Sequence, residues 1–371
     1  MERRLAKIII GLFCVFWGGI TIISLLLPDK EFSEMENRNL QLLPKLIESK
    51  WKSGAYMEEM ESYVADQIVF RDQWVGVKAS VEVLSGKKEN NGVYFGEKET
   101  LINRVVVEDE ALVRKNVEYM NQLSQNISVP IYFGLIPTAA EVWDERLPKG
   151  ADTLDEMLWI EKIYQSINVE TVDLEAALEQ HDDEPIFYKT DHHWTSLGAY
   201  YGANAIFEKM EQKCLDLRDY DKEIVSNQFY GTTYSSAGAW WVEPDQVECY
   251  VSEEGKSVIS NFTGKEEIGK LYNYEKLDGK NKYAFFMGGN QPYCVIKSNM
   301  SGEKLLVIRD SYSDCLAPFL SERFEEIHMF DLRYNRMSIK EYVEEHKMDK
   351  VLILYSFSNY IKDENQFLLI R

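Results

Sequence analysis

Two stretches of this chain gather residue types that do nucleophilic chemistry. Asp191-His192-His193-Trp194 sets a carboxylate two residues from an imidazole, and Asp310-Ser311-Tyr312 puts a hydroxyl at the end of the apolar run Lys304 to Arg309. A serine is a weak nucleophile unless a base lies within hydrogen-bond reach. In a Ser-His-Asp arrangement the carboxylate holds the imidazole by Nδ1–H and leaves Nε2 to take the serine proton. The spacing therefore assigns Ser311 as nucleophile, His193 as base and Asp191 as orienter. His192 is expected to point elsewhere, because neighbouring side chains of an extended segment alternate faces.

Acyl transfer also needs donors for the oxygen that becomes negative. Gly288-Gly289-Asn290 follows the apolar run Tyr283 to Met287, so Gly289 and Asn290 are the first candidates. Tyr230-Gly231-Thr232-Thr233 is the second, and Tyr312 adjoins the serine. Each group also has a structural reading. Ser311 would then cap a helix, Asp191 would cap a turn, Trp194 would pack, and Gly-Gly-Asn would only turn the chain. A metal site of Asp191, His192 and His193 is disfavoured, since adjacent histidines rarely reach one ion and His181, His328 and His346 stand in unrelated settings. No metal and no cofactor is expected.

The elements that must carry these groups follow from periodicity. Val129 to Ile136, Val169 to Val172, Leu305 to Ile308, Glu326 to Phe330 and Val351 to Tyr355 read as strands. Ala111 to Gln125, Asp155 to Ile167, Thr195 to Cys214, Asp314 to Phe324 and Ser338 to Glu345 read as helices between them, those at Thr195 and Ser338 opening on a hydroxyl cap. Such alternation implies an α/β body with a mostly parallel sheet. A strand that ends in Ser311 and passes into a helix sets the hydroxyl at the sheet's carboxyl edge, near the first helical N–H groups. From about 220 to 295 the alternation lapses into Tyr-, Thr-, Ser- and Gly-rich chain with short β-like pieces at Val247 to Val251 and Tyr283 to Met287. That stretch reads as an insertion. Upstream, Phe32 to Leu46 reads as a tether, Tyr56 to Leu84 as helical with a break at Arg71-Asp72, and Val93 to Ile102 as a short hairpin.

Ile8 to Leu27 carries no charge. Twenty residues at about 1.5 Å each span roughly 30 Å, a bilayer core. Arg3, Arg4 and Lys7 precede the run and Asp29, Glu31, Glu34 and Glu36 follow it, so the N-terminus is expected in the cytoplasm and the chain after about 28 outside. The run is longer than a signal-peptide core and lacks a small-residue cleavage pattern. The expected division is therefore 1–28 as cytoplasmic tip and anchor, 29–104 as a membrane-proximal helical segment and hairpin, and 105–371 as the α/β domain. The formal charge of -21 over 371 residues argues against a nucleic-acid partner, which needs clustered Lys and Arg. The five cysteines form no C-x-x-C pair, and buried free thiols are the default for a body this size.

At these residues the chain resembles a known family. Asp191-His192-His193-Trp194 looks like the signature of the DHHW protein family, and the likeness extends to Glu36-Asn-Arg38, Gly86 to Tyr94, Gly288-Gly-Asn290 and Asp310-Ser-Tyr312. More remotely, Asp-x-His-Trp followed far downstream by Ser-Tyr is similar to the SGNH-like domain of alginate O-acetyltransferases. That resemblance implies the same three roles for Ser311, His193 and Asp191. It implies an SGNH-hydrolase-like, flavodoxin-like three-layer fold and work on cell-surface polysaccharide. It also implies a multi-spanning membrane-bound O-acyltransferase as partner. Relatives commonly carry Gly-Thr before the serine, where this chain has Arg309-Asp310. The expected activity is an extracytoplasmic O-acetyltransferase acting through an acyl-serine. An esterase with the same triad, or a non-catalytic scaffold for surface-polymer synthesis, remains open.

Overall fold

The computed structural model describes residues 2–260 and 267–371. Two compact units result, one formed by the chain up to Asn91 with Tyr234–Trp241, the other by Gly92–Thr233 with Val242–Arg371.

In the smaller unit the uncharged run lies in a helix, Glu2–Leu26, long and apolar enough by length and composition to cross a membrane. Its apolar side chains are largely exposed. The segment read as a tether is instead pinned. Phe32–Ser33 pairs with Arg38–Asn39, Arg38 donates from Nη1 to Asp66 Oδ2 at 2.9 Å, and Arg71 pairs with Glu36. The Glu36-Asn37-Arg38 string thus has a local structural role: two charges tied to the ends of two helices. Those helices are Ala55–Asp66 and Arg71–Leu84. The break falls just before Arg71, at Phe70, whose φ of 61° takes the chain out of helical geometry.

In the larger unit eight strands form one sheet. In order across it they are Glu267–Gly269, Ser257–Ser260, Tyr293–Lys297, Glu326–Phe330, Lys304–Arg309, Lys350–Ser356, Ile131–Ile136 and Glu170–Val172. The last five run parallel to one another. The first three are antiparallel, so the sheet is mixed. All three come from the 220–295 stretch read as an insertion, which therefore extends the sheet rather than interrupting it. Residues 298–303 lead from Tyr293–Lys297 past Glu326–Phe330 to Lys304–Arg309, too few for the crossover a parallel direction needs, so Tyr293–Lys297 runs antiparallel to both.

The centre of the sheet is apolar on both faces. Ile131–Ile136 is buried at every residue and Lys350–Ser356 at all but its first, as strands covered by helices should be. Glu110–Asn126, Glu156–Ser166, Ser196–Lys209, Ser313–Leu320 and Ile339–His346 are the helices expected between them. One expected strand is absent. Residues 282–285 form a 3-10 turn, and the run Tyr283 to Met287 is buried without being extended. An unbroken apolar run reports burial, and periodicity cannot tell a strand from a tight helix over so few residues. The hairpin Val93–Phe95/Leu101–Asn103, expected in the membrane-proximal segment, lies in the larger unit, where Leu101 N–H donates to Lys189 O at 2.8 Å.

Candidate active site

The strand Lys304–Arg309 delivers Asp310 and Ser311 to the carboxyl edge of the parallel strands. Asp310 fixes the turn there. Its carboxylate accepts from the N–H of Tyr312 at 3.0 Å, from the N–H and Oγ of Ser356 at 2.8 Å each, and from Asn359 Nδ2 at 2.8 Å. Two strand ends are thereby tied to one buried carboxylate. Beneath them Arg309 Nη1 lies 2.9 Å from Asp314 Oδ1, both fully buried. Burial pushes the Asp314 carboxyl up to about 6 against the pull of Arg309.

The second part of the site is a loop closed on itself. Phe187 and Trp194 pair as an antiparallel bridge, with Tyr188 N–H donating to His193 O and Thr195 N–H to Ile186 O. Trp194 is fully buried, packed against Gly202 of the following helix, where a Cβ would overlap the indole. Its Nε1–H donates to Tyr312 O at 2.9 Å, and Tyr312 OH donates to His192 O. The loop and the serine turn are thus bolted together by side chains of the two motifs.

That joint brings three expected residues into one row. His193 Nε2 lies 2.8 Å from Ser311 Oγ, and His193 Nδ1 lies 2.5 Å from Asp191 Oδ1. Asp191 also accepts from His193 N–H at 3.0 Å, from Thr232 N–H at 2.8 Å and from Thr232 Oγ1 at 3.0 Å. Burial raises the Asp191 carboxyl, but the imidazoles of His192 and His193 and these bonds outweigh it and hold the group well below the usual carboxylate range. Nδ1–H bonded to a carboxylate leaves Nε2 as acceptor for the serine proton.

Other expected residues take different places. His192 does not point away. Its ring lies 3.8 Å from that of His193, and its Nδ1 is 2.7 Å from Thr232 Oγ1. The alternation argument fails because the segment is a bend, not a strand. The ligand atoms of Asp191, His192 and His193 lie within 4.8 Å of one another, so adjacency does not by itself exclude a shared ion. Within this row, however, both nitrogens of His193 and Nδ1 of His192 already meet protein oxygens. Gly231 is a cradle for Asp191: a Cβ there would fall inside the Asp191 side chain, and its N–H donates to Thr190 Oγ1 at 3.2 Å. Tyr312 is buried joinery. Tyr230 is half-buried, with Lys280 Nζ 5.9 Å from its ring centre.

The oxyanion question narrows in the same way. Tyr312 N–H is taken by Asp310 Oδ1, Ser313 N–H by Asp310 O, and Gly289 N–H by Phe286 O at 3.3 Å. The Ser311 N–H has no partner among the described residues, and Asn290 is exposed. The Gly-Gly-Asn turn precedes Tyr293, which pairs with Phe330 at the carboxyl end of its strand, so turn and serine share one edge of the sheet.

The roles of two residues were not read from the sequence. Thr232 stood in the second oxyanion candidate, Tyr230 to Thr233, and not as a partner of Asp191. Tyr283 was read only as strand, yet its ring stacks on His193 at 3.8 Å and 9° while its OH donates to Ser311 O at 3.0 Å.

A family model described as DHHW protein matches residues 103–330. Among solved structures, a DHHW family protein from Eubacterium siraeum is 25% identical over 76% of this chain and 95% of its own, with a TM-score of 0.67. Bacillus cereus PatB1, solved with a sulfonyl adduct, is 20% identical over 74% of this chain and 97% of its own, at a TM-score of 0.63. The O-acetyltransferase domain of Pseudomonas putida AlgJ is a remoter likeness, 16% identical over 73% of this chain and 93% of its own, at 0.45. No curated protein matches the sequence.

Proposed function

This chain belongs to the DHHW protein family, and we propose from its site that it is a membrane-anchored O-acetyltransferase working through an acyl-Ser311 intermediate on a cell-surface polysaccharide. The observation that carries the reading is the hydrogen-bonded row from Asp191 through His193 to Ser311. In the first half-reaction Ser311 Oγ attacks an acetyl ester while His193 Nε2 takes its proton, and the imidazolium beside ionised Asp191 returns that proton to the leaving group. In the second, a sugar hydroxyl attacks the acyl-serine and His193 again moves the proton. Ser311 N–H and the Asn290 side chain are the proposed donors to the oxyanion. Tyr283 positions both partners, the imidazole by stacking and the serine through its carbonyl.

The anchor reading rests on the helix Glu2–Leu26 and on the charge asymmetry around it, which favours a cytoplasmic N-terminus and an outer body. On that side of a membrane the acetyl group needs a carrier, and a multi-spanning O-acyltransferase is the proposed source. An esterase would use the same first half-reaction with water as acceptor.

The test uses the full chain in detergent. It is incubated with 4-nitrophenyl acetate, or with a sulfonyl fluoride of the kind suggested by the adduct on PatB1, and analysed by mass spectrometry. One acetyl or sulfonyl group on Ser311 is expected, and Ser311→Ala is expected to lose the adduct and about 10⁴-fold or more of turnover. Labelling elsewhere, or unchanged turnover in Ser311→Ala, would overturn the assignment.

A further inference from the structure

We propose that His192 and His193 together form an acceptor subsite for a vicinal diol, with the reacting hydroxyl at His193 Nε2 and its neighbour donating to His192 Nε2. This rests on the acyl-Ser311 reading and adds the class of acceptor to it.

Thr232 Oγ1 lies 3.0 Å from Asp191 Oδ2, an oxygen that can only accept, so the hydroxyl proton is spent there. Oγ1 is also 2.7 Å from His192 Nδ1 and must accept from it. The His192 proton therefore sits on Nδ1, and Nε2 is a bare acceptor. One carboxylate thus sets the tautomer of both rings, His193 directly through Oδ1 and His192 through Thr232.

Geometry sets the two rings side by side. Both Nδ1 atoms are anchored on the same Asp191–Thr232 cradle, the ring centres are 3.8 Å apart, and the planes differ by 37°. His193 Nε2 reaches Ser311 from that cradle, and His192 carries its own Nε2 on a ring tilted beside it. His192 Nε2 has no hydrogen-bond partner among the described residues, and the side chain is 28% exposed against 8% for His193. Tyr312 holds the backbone carbonyl of His192, and Thr232 Oγ1 holds its ring by Nδ1. Burial and the neighbouring imidazole also push His192 down to about 4, which keeps it a neutral acceptor.

Before acylation His193 Nε2 is occupied by the serine hydroxyl. Once Ser311 is acylated, each of the two neighbouring rings carries an unprotonated Nε2. A hydroxyl oxygen forms its bond to the acyl carbon as its proton passes to His193 Nε2. The Ser311 Oγ–carbon bond then breaks and Oγ recovers that proton. The adjacent hydroxyl keeps its proton and donates it to His192, fixing the sugar's orientation throughout. A single alcohol fills only half of this subsite.

The experiment gives the detergent-solubilised full chain 4-nitrophenyl acetate with either cyclohexane-1,2-diol or cyclohexanol as acceptor, and the acetylated products are quantified. The wild type is expected to prefer the diol about tenfold, the value of one well-placed hydrogen bond. His192→Phe is expected to reduce that preference to within about threefold, read as the ratio of the two acetylated products so that any change in the rate of acylation cancels. Thermal melts of the wild type and of His192→Phe, expected to agree within a few degrees, guard against a folding defect in the variant. A merely structural His192 would slow acylation and transfer alike and leave the preference intact, which overturns the subsite. Absence of a burst in the wild type would instead remove the acyl-serine reading on which it rests.

Discussion

Asp191 is the residue on which the site's electrostatics turn. It accepts four protein hydrogen bonds and faces two imidazoles, and its carboxyl is held low despite full burial. A depressed carboxyl favours the folded state at every pH above its unfolded range near 4 and loses that contribution only as pH falls below it. Asp191→Asn should therefore be less stable than the wild type at pH 7, with the gap closing below about pH 4 in denaturant titrations. Its turnover should fall on the order of 10⁴-fold, because an amide at that position no longer selects the His193 tautomer that accepts the serine proton. A loss under tenfold would mean that the row is structural rather than catalytic.

At the scale of elements, the site is assembled by joints at strand ends. Asp310 ties the serine turn to Ser356, and Trp194 ties the histidine loop to Tyr312. A third joint closes the neighbouring strand. Glu156, the first residue of its helix, accepts from Thr138 N–H at 2.9 Å and Thr138 Oγ1 at 2.6 Å, just past Ile131–Ile136. Burial raises this carboxyl to about 7, although the Thr138 bonds oppose the shift. For an acid raised in the folded state, the favourable contribution is present below the unfolded range near 4.3 and is lost as pH rises through about 7. Glu156→Gln can keep both bonds, with its oxygen facing the N–H and its amide the hydroxyl. It should stabilise the protein by on the order of 1–3 kcal/mol at pH 8 and make little difference at pH 5, read as Tm at the two pH values. A destabilised variant at pH 8 would show that the ionised carboxylate is needed there.

For the whole molecule, the defining feature is an apolar helix ahead of an acidic α/β body. Burying some twenty apolar residues in lipid outweighs any surface attraction, so the full chain should sediment with membranes and resist extraction by carbonate or high salt. Removing residues 1–28 should release it into the soluble fraction. Proteolysis of intact cells should reach residues after 28 if the body lies outside, whereas protection of the body would reverse the orientation.

Residue order along the chain was enough to read which groups could do nucleophilic chemistry and most of the elements that carry them. Asp191, His193 and Ser311, which meet in one row, were legible because a hydroxyl, an imidazole and a carboxylate are few residue types and two of them lie two positions apart. The parallel strands were legible because double burial writes near-continuous apolar runs such as Ile131 to Ile136. What it could not determine were properties of contact between distant segments. Whether 220–295 joins the sheet depends on strand pairing, which its own composition does not encode. Whether Tyr283 lies in a strand or in a turn against His193 is not written in an apolar run that satisfies both. That Thr232 shares Asp191 between two imidazoles is visible only when two loops some forty residues apart meet, because a hydrogen bond is specified by position in space and not by order along the chain.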